Sequence, residues 1–130
     1  MAEHANATLV RRGYTAFTTG DLDTLRTLMT EDAAWHQPGN AAIAGDYVGR
    51  EQVFDYFGKL YSLTDGTFKA DVIDILADDD RAVVIQHSTA RRDGRSLDTR
   101  DVVVYEIHDG KFTDTQVYAS DPTQEDTFWS

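Results

Sequence analysis

RAVVIQHSTARRDGRSLDTRDVVVYEIHDGKFTDTQVYAS, residues 81–120, holds two Asp-Gly pairs, Asp93-Gly94 and Asp109-Gly110, each flanked by runs rich in β-branched and aromatic residues. Such pairs are strong hairpin signals, because a two-residue turn that matches strand twist needs positive φ, which Asp tolerates and Gly adopts freely. The runs at 81–91, 96–107 and 111–120 therefore read as strands of one antiparallel meander. A further run at 67–77, separated by Asp78-Asp79-Asp80, makes four. Strands of this length must twist and coil, so the sheet curls around whatever packs on its concave face.

Working outward, the first half of the chain supplies that packing. Val10, Gly13, Tyr14 and Phe17 fall at i, i+3, i+4 and i+7, one face of a helix that ends near Gly20. Asp21 is placed to cap a second, short helix that turns Leu22, Leu25, Leu28 and Met29 inward. After Gly49, the stripe Val53, Phe57, Leu60 and Tyr61 marks a third helix, stopped at Asp65-Gly66. Between the second and third, Ala34-Trp35-His36-Gln37 reads as a short strand, while Pro38-Gly39-Asn40 and Gly45-Asp46 read as loop. Helices first and a meander after them give an α+β fold, a single domain over residues 1–130.

Composition narrows the function classes. There are 12 basic against 23 acidic residues, a formal charge of −11, which repels phosphate backbones and anionic headgroups. No nucleic acid and no membrane partner is expected. The absence of cysteine removes disulfides and thiol chemistry. The N-terminal MAEHANATLVRR lacks the basic start and apolar run of a signal peptide, so a cytoplasmic protein is expected. No HExxH or HxH spacing occurs, and neither metal nor cofactor is expected.

Several short motifs, in order, carry a family likeness: Gly20-Asp21 between the first two helices, Glu31-Asp32-Ala33 before the first strand, Gly49-Arg50-Glu51-Gln52-Val53 opening helix three, and Asp109-Gly110-Lys111-Phe112 with Asp114 at the last hairpin. Together they resemble the nuclear transport factor 2-like superfamily, in its SnoaL-like and ketosteroid isomerase-like branch. The resemblance implies a cone-shaped curved sheet wrapped around three helices, also called cystatin-like. It further implies a small hydrophobic organic ligand in the cone, and a homodimer through the outer sheet face. Fold does not confer activity in such superfamilies. Of the three groups a ketosteroid isomerase needs, the base position falls on Gln37, the tyrosine on Gly13 (Tyr14 is one residue off) and the oxyanion aspartic acid on Val103. An amide cannot abstract a carbon-bound proton and valine offers no donor, so that isomerisation is not expected.

Strand alternation and the resemblance together propose a pocket wall. Trp35 and Gln37 point inward with His36 outward. Val84, Gln86 and Ser88 point inward with His87 outward. Thr99, Asp101, Val103 and Tyr105 share a face, and Val117, Ala119 and Asp121 face the mouth. Asp101, an inward carboxylate beside a valine run, is the first acid/base candidate. Asp121 is the second, standing where SnoaL-like cyclases carry an acid/base aspartate. Phe17, Phe54, Phe57 and Trp35 are candidate ligand contacts, as are Gln37, Gln86, Ser88 and Val103. The segment 37–48 is a candidate lid, and Phe128-Trp129 an aromatic pair that must dock somewhere. Three readings stay open: a cofactor-free cyclase, isomerase or hydrolase; a ligand carrier or sensor without chemistry; and a protein-interaction domain with a filled interior.

Overall fold

The computed structural model describes residues 3–130. Helices α1 (Ala5–Thr19), α2 (Leu22–Leu28) and α3 (Arg50–Ser62) lie against a sheet of six strands: β1 (Met29–Gln37), β2 (Gly45–Val48), β3 (Lys69–Ala77), β4 (Arg81–Arg92), β5 (Arg95–His108) and β6 (Lys111–Ala119). A fourth helix, α4 (Pro122–Trp129), follows the sheet. Strand order is β2-β1-β6-β5-β4-β3, with β1 parallel to β6 and every other pair antiparallel. The α+β cone of the sequence reading is the fold observed.

The turns form for the reasons the residues suggested. Asp93 and Gly94 take φ of 49° and 75°, Asp109 and Gly110 take 50° and 73°, the doubly left-handed pattern of a tight hairpin turn. Asp78 closes the β3–β4 turn by accepting from the backbone N–H groups of Asp80 and Arg81 at 2.8 and 2.9 Å. Asp21 caps α2, accepting from the Thr24 N–H at 3.1 Å. Gly13 matters by what it lacks: a Cβ there would stand 3.3 Å from the Phe112 ring, so the bare backbone lets α1 close onto β6.

The structure corrects the reading at several places. Leu22, expected inward, is exposed at the first turn of α2, and Met29 opens β1 instead of ending the helix. The Gly45-Asp46 loop is edge strand β2, pairing Tyr47 with Trp35 and burying Tyr47 alone. With one buried residue in four, that strand has no alternation to detect. Asp121-Pro122, a chain-exit signal on paper, is the N-cap and first residue of α4.

Helix α4 folds back over the cone. Phe128 and Trp129 are each 2% exposed, Trp129 lying 6.2 Å from the Phe68 ring between centroids. Two arginines of the β4–β5 hairpin hold the helix end: Arg92 donates to the Ser130 carbonyl and Arg95 to the Thr127 carbonyl, both at 2.5 Å. Cations at a helix C-terminus also complement its dipole. We expect Trp129→Ala to lower unfolding free energy by about 3–5 kcal/mol, the usual range for deleting a buried tryptophan. Urea denaturation followed by circular dichroism checks this, and a loss below about 1 kcal/mol would mean that α4 is not docked in solution.

Candidate functional site

Within the cone lies a cavity of about 80 Å³. Its wall is built from inward positions of β1, β4, β5 and β6, from the α1 and α3 aromatics, and from α4. Asp101, Trp35, Gln37, Gln86, Ser88, Phe17 and Phe57 all line it. Phe17 and Phe57 pack edge to face at 5.2 Å, and Trp35 meets Phe57 in the same way at 5.2 Å. The alternation read from β4 and β5 is the one observed: Ala82, Val84, Ser88, Leu97, Thr99, Asp101, Val103 and Tyr105 are buried.

Three candidates stand elsewhere. Asp121 is exposed and accepts from the Gln124 N–H at 3.1 Å, because capping α4 turns its carboxylate away from the cavity. Val103 is 1% exposed but packs in the core outside the cavity wall. Phe54, one turn before Phe57, is half-buried against the core outside the cavity wall, with the Arg26 guanidinium 4.7 Å from its ring centroid. His36 and His87 point to the convex face as expected. His36 lies 2.7 Å from Asp46 and 2.8 Å from Asp114, and these carboxylates raise its pKa above the ordinary value; His87 lies 2.7 Å from Asp98.

A chain of hydroxyl and amide donors crosses the cavity wall toward Asp101. The Tyr105 hydroxyl donates to the Tyr14 oxygen at 2.8 Å, and Tyr14 donates to Gln86 Oε1 at 2.7 Å. The Gln86 amide donates to Ser88 Oγ at 2.9 Å, and Ser88 donates to Asp101 Oδ2 at 3.1 Å. Every link points the same way, so the chain ends on an acceptor, Asp101 Oδ2. Burial raises the Asp101 pKa, while the neighbouring Glu125, Ser88 and Ser120 backbone groups act to lower it. Tyr14, Tyr56 and Tyr105 are raised by burial and stay protonated. Gln37 is held from α3, accepting from the Tyr56 hydroxyl at 2.5 Å.

Among the described residues, two buried polar atoms in this wall have no partner: Asp101 Oδ1 and Trp35 Nε1. Beside Asp101 stands Glu125 of α4, 7% exposed, whose pKa burial and the Asp101 charge push up to about 8. Among the described residues, no lysine, arginine or histidine lines the cavity. The sequence reading missed Glu125 and Tyr56, and it expected Phe128-Trp129 to dock without placing Trp129 in the cavity wall. Glu125, Phe128 and Trp129 share one helical face at i, i+3 and i+4, the signal that a helix capped by Asp121 would have made visible. Among the described residues no three His, Asp or Glu side chains converge as a metal site would require.

The segment 38–44 covers part of the cavity. Ile43 is buried in the wall, and its carbonyl accepts from the Tyr47 hydroxyl at 2.8 Å. The Asn40 N–H donates to Asp126 Oδ1 of α4 at 2.9 Å, tying the covering segment to that helix. No helix of the described chain is long and apolar enough to cross a membrane.

Comparison with known proteins agrees with this architecture. An uncharacterised protein of Mycobacterium tuberculosis, Rv0034, is 30% identical over 131 residues, covering all of both chains. The structure of Bal32a, from a soil-derived mobile gene cassette, shares 43% identity with a TM-score of 0.94 and covers 97% of each chain. TerC, co-crystallised with polyporic acid, is 18% identical with a TM-score of 0.78, over 89% of this chain and 92% of TerC, a likeness of fold. The SnoaL-like domain family matches residues 10–115, and the chain belongs to that family.

Proposed function

We propose that this single SnoaL-like domain binds a small neutral organic compound in its cone and moves a proton on it without a cofactor, with Asp101 as the base. One observation carries the reading. Asp101, in the cavity wall, is 3% exposed; one oxygen is held by Ser88, and the other has no partner among the described residues. A buried acceptor left unpaired costs about 1–3 kcal/mol, a cost that a packed, purely structural core would avoid. Trp35 Nε1, the other unpaired atom, offers a donor to an oxygen of the ligand.

The reaction class follows from the groups present. The wall holds carboxyl, hydroxyl and amide groups, the equipment of general acid–base chemistry at a carbonyl compound, the step shared by isomerases and aldol-type cyclases. Size limits the ligand. The cavity, about 80 Å³, is about half the volume that accommodates a benzene ring. A ring-sized ligand therefore enters only as the covering segment 38–44 or an aromatic wall gives way.

Cyclohexanone in D₂O is a suitable probe, since deuterium incorporation beside its carbonyl reports proton abstraction directly by NMR. Asp101→Asn should slow protein-dependent incorporation by about 10²–10⁴-fold, the usual worth of a general base, with affinity unchanged within about ten-fold. An unchanged rate would remove Asp101 as the base. Binding without any exchange in the unaltered protein would favour the carrier or sensor reading.

The convex face supports a homodimer. Leu76, Val83, Ile85, Val102, Val104 and Tyr118 are neighbours across β3, β4, β5 and β6, with Leu76 61%, Val102 36% and Tyr118 56% exposed. A continuous apolar patch on a sheet face suits a self-complementary two-fold contact. Sedimentation velocity at micromolar concentration should show a dimer that Tyr118→Asp dissociates. A monomer at every concentration would exclude this interface.

A further inference from the structure

We infer that Glu125 is a second catalytic carboxyl, and that Asp101 and Glu125 hold one proton between them as an acid–base pair open to the cavity. This rests on the reading of the cone as a site of proton transfer and names the acid that the base requires.

The geometry begins with α4. Phe128 and Trp129 anchor the helix in the core and Arg92 and Arg95 hold its end, so the helical face carrying Glu125 must look inward. Both carboxyls line the cavity, both are more than nine-tenths buried, and no cation stands in the wall. Two adjacent carboxylates in such surroundings do not both ionise. The donor chain and the mutual influence of the two carboxyls assign the proton. Ser88 donates to Asp101 Oδ2, which leaves Oδ1 as the Asp101 atom at which a proton is shared, and the Asp101 charge raises Glu125 while Glu125 lowers Asp101, which puts the proton on Glu125. Asp101 Oδ1 accepts from no N–H or O–H of the described residues, which leaves it open to the shared proton.

The groups facing the pair agree. Asp121 and Asp126 of α4 add negative charge around Glu125, and Tyr56 of α3 and Tyr14 of α1 are neutral hydroxyls. The Glu125 pKa, raised to about 8 by burial first and by the Asp101 charge second, matches a carboxylic acid at neutral pH.

The step balances within the pair. Asp101 takes a proton from the carbon next to a ligand carbonyl, and the C–H electron pair becomes a C=C bond. The carbonyl π pair moves to oxygen, which receives the Glu125 proton. The pair begins and ends with one proton; the reverse transfer restores the ketone, or, where the ligand carries a second C=C conjugated with the enol, delivers the proton to its far carbon and releases an isomerised ketone. A pair carrying one negative charge in an apolar wall without cations rejects carboxylates and phosphates, so the ligand class is a neutral carbonyl compound.

Two readouts test the pair. In protein labelled with ¹³C at glutamate Cδ, Glu125 should titrate near 8, and Asp101→Asn should move it down by removing the neighbouring charge. The folded state holds this proton between its ordinary 4.5 and about 8, so the stability it contributes is present below 4.5 and lost as pH rises through 8. Glu125→Gln should flatten that slope in thermal melts. The same substitution should slow cyclohexanone exchange about 100-fold and abolish the fall in rate above pH 8. A Glu125 titration in the ordinary glutamate range, or a Glu125→Gln protein keeping the original rate and alkaline fall, overturns the inference. Exchange absent from the unaltered protein, with the raised titration intact, overturns the catalytic role together with the reading it rests on and leaves the proton-sharing pair standing.

Discussion

The ladder between β4 and β5 runs in register from Arg81 opposite Glu106 to Arg92 opposite Arg95, and its length creates the problem that the rest of the chain solves. Long paired strands twist, and the twist gives the sheet a concave face wider than one helix covers. Helices α1 and α3 fill most of it with Val10, Val53, Phe57 and Leu60, and α4 closes the remaining side with Phe128 and Trp129. Interiors normally pack to crystal-like density, so a space left among these elements stands out. Here the space coincides with the polar inward positions of β4 and β5.

That coincidence links packing to chemistry. Gln86 and Asp101 are direct cross-strand partners, and Ser88 is the next inward residue along β4. The same alternation that aims Val84 and Val103 into the core therefore delivers the donor chain and the carboxylate as one row. Low dielectric strengthens each hydrogen bond in the row and keeps the tyrosines protonated. It also forbids a second full negative charge beside Asp101, which makes Glu125 an acid. Burial thus shapes the protonation pattern more than any specific charge partner does, since the wall has no cation to offer.

Much of this was legible in the residues. The Asp-Gly turns dictated the hairpins through backbone sterics, helical spacing marked α1 and α3, and alternation placed Asp101, Ser88 and Gln86 on the inner face. These are local rules, dependent on a few adjacent residues. Short elements escaped them: β2 buries one side chain, and α4 is eight residues long, starting from an Asp-Pro pair that serves exits and caps alike.

Sequence alone determined the α+β class, the meander and the inward parity of the long strands, because turn φ angles and the two-residue period of a strand are set within the segment itself. Tertiary structure alone decided that Asp121 is a cap and that Glu125, four residues on, is the carboxyl beside Asp101. That choice depends on where α4 docks, and the docking is governed by Phe128 and Trp129 finding the gap that distant strands leave open. Which buried oxygen lacks a partner is likewise a property of the assembled wall, since a hydrogen bond is counted only once both of its ends are in place.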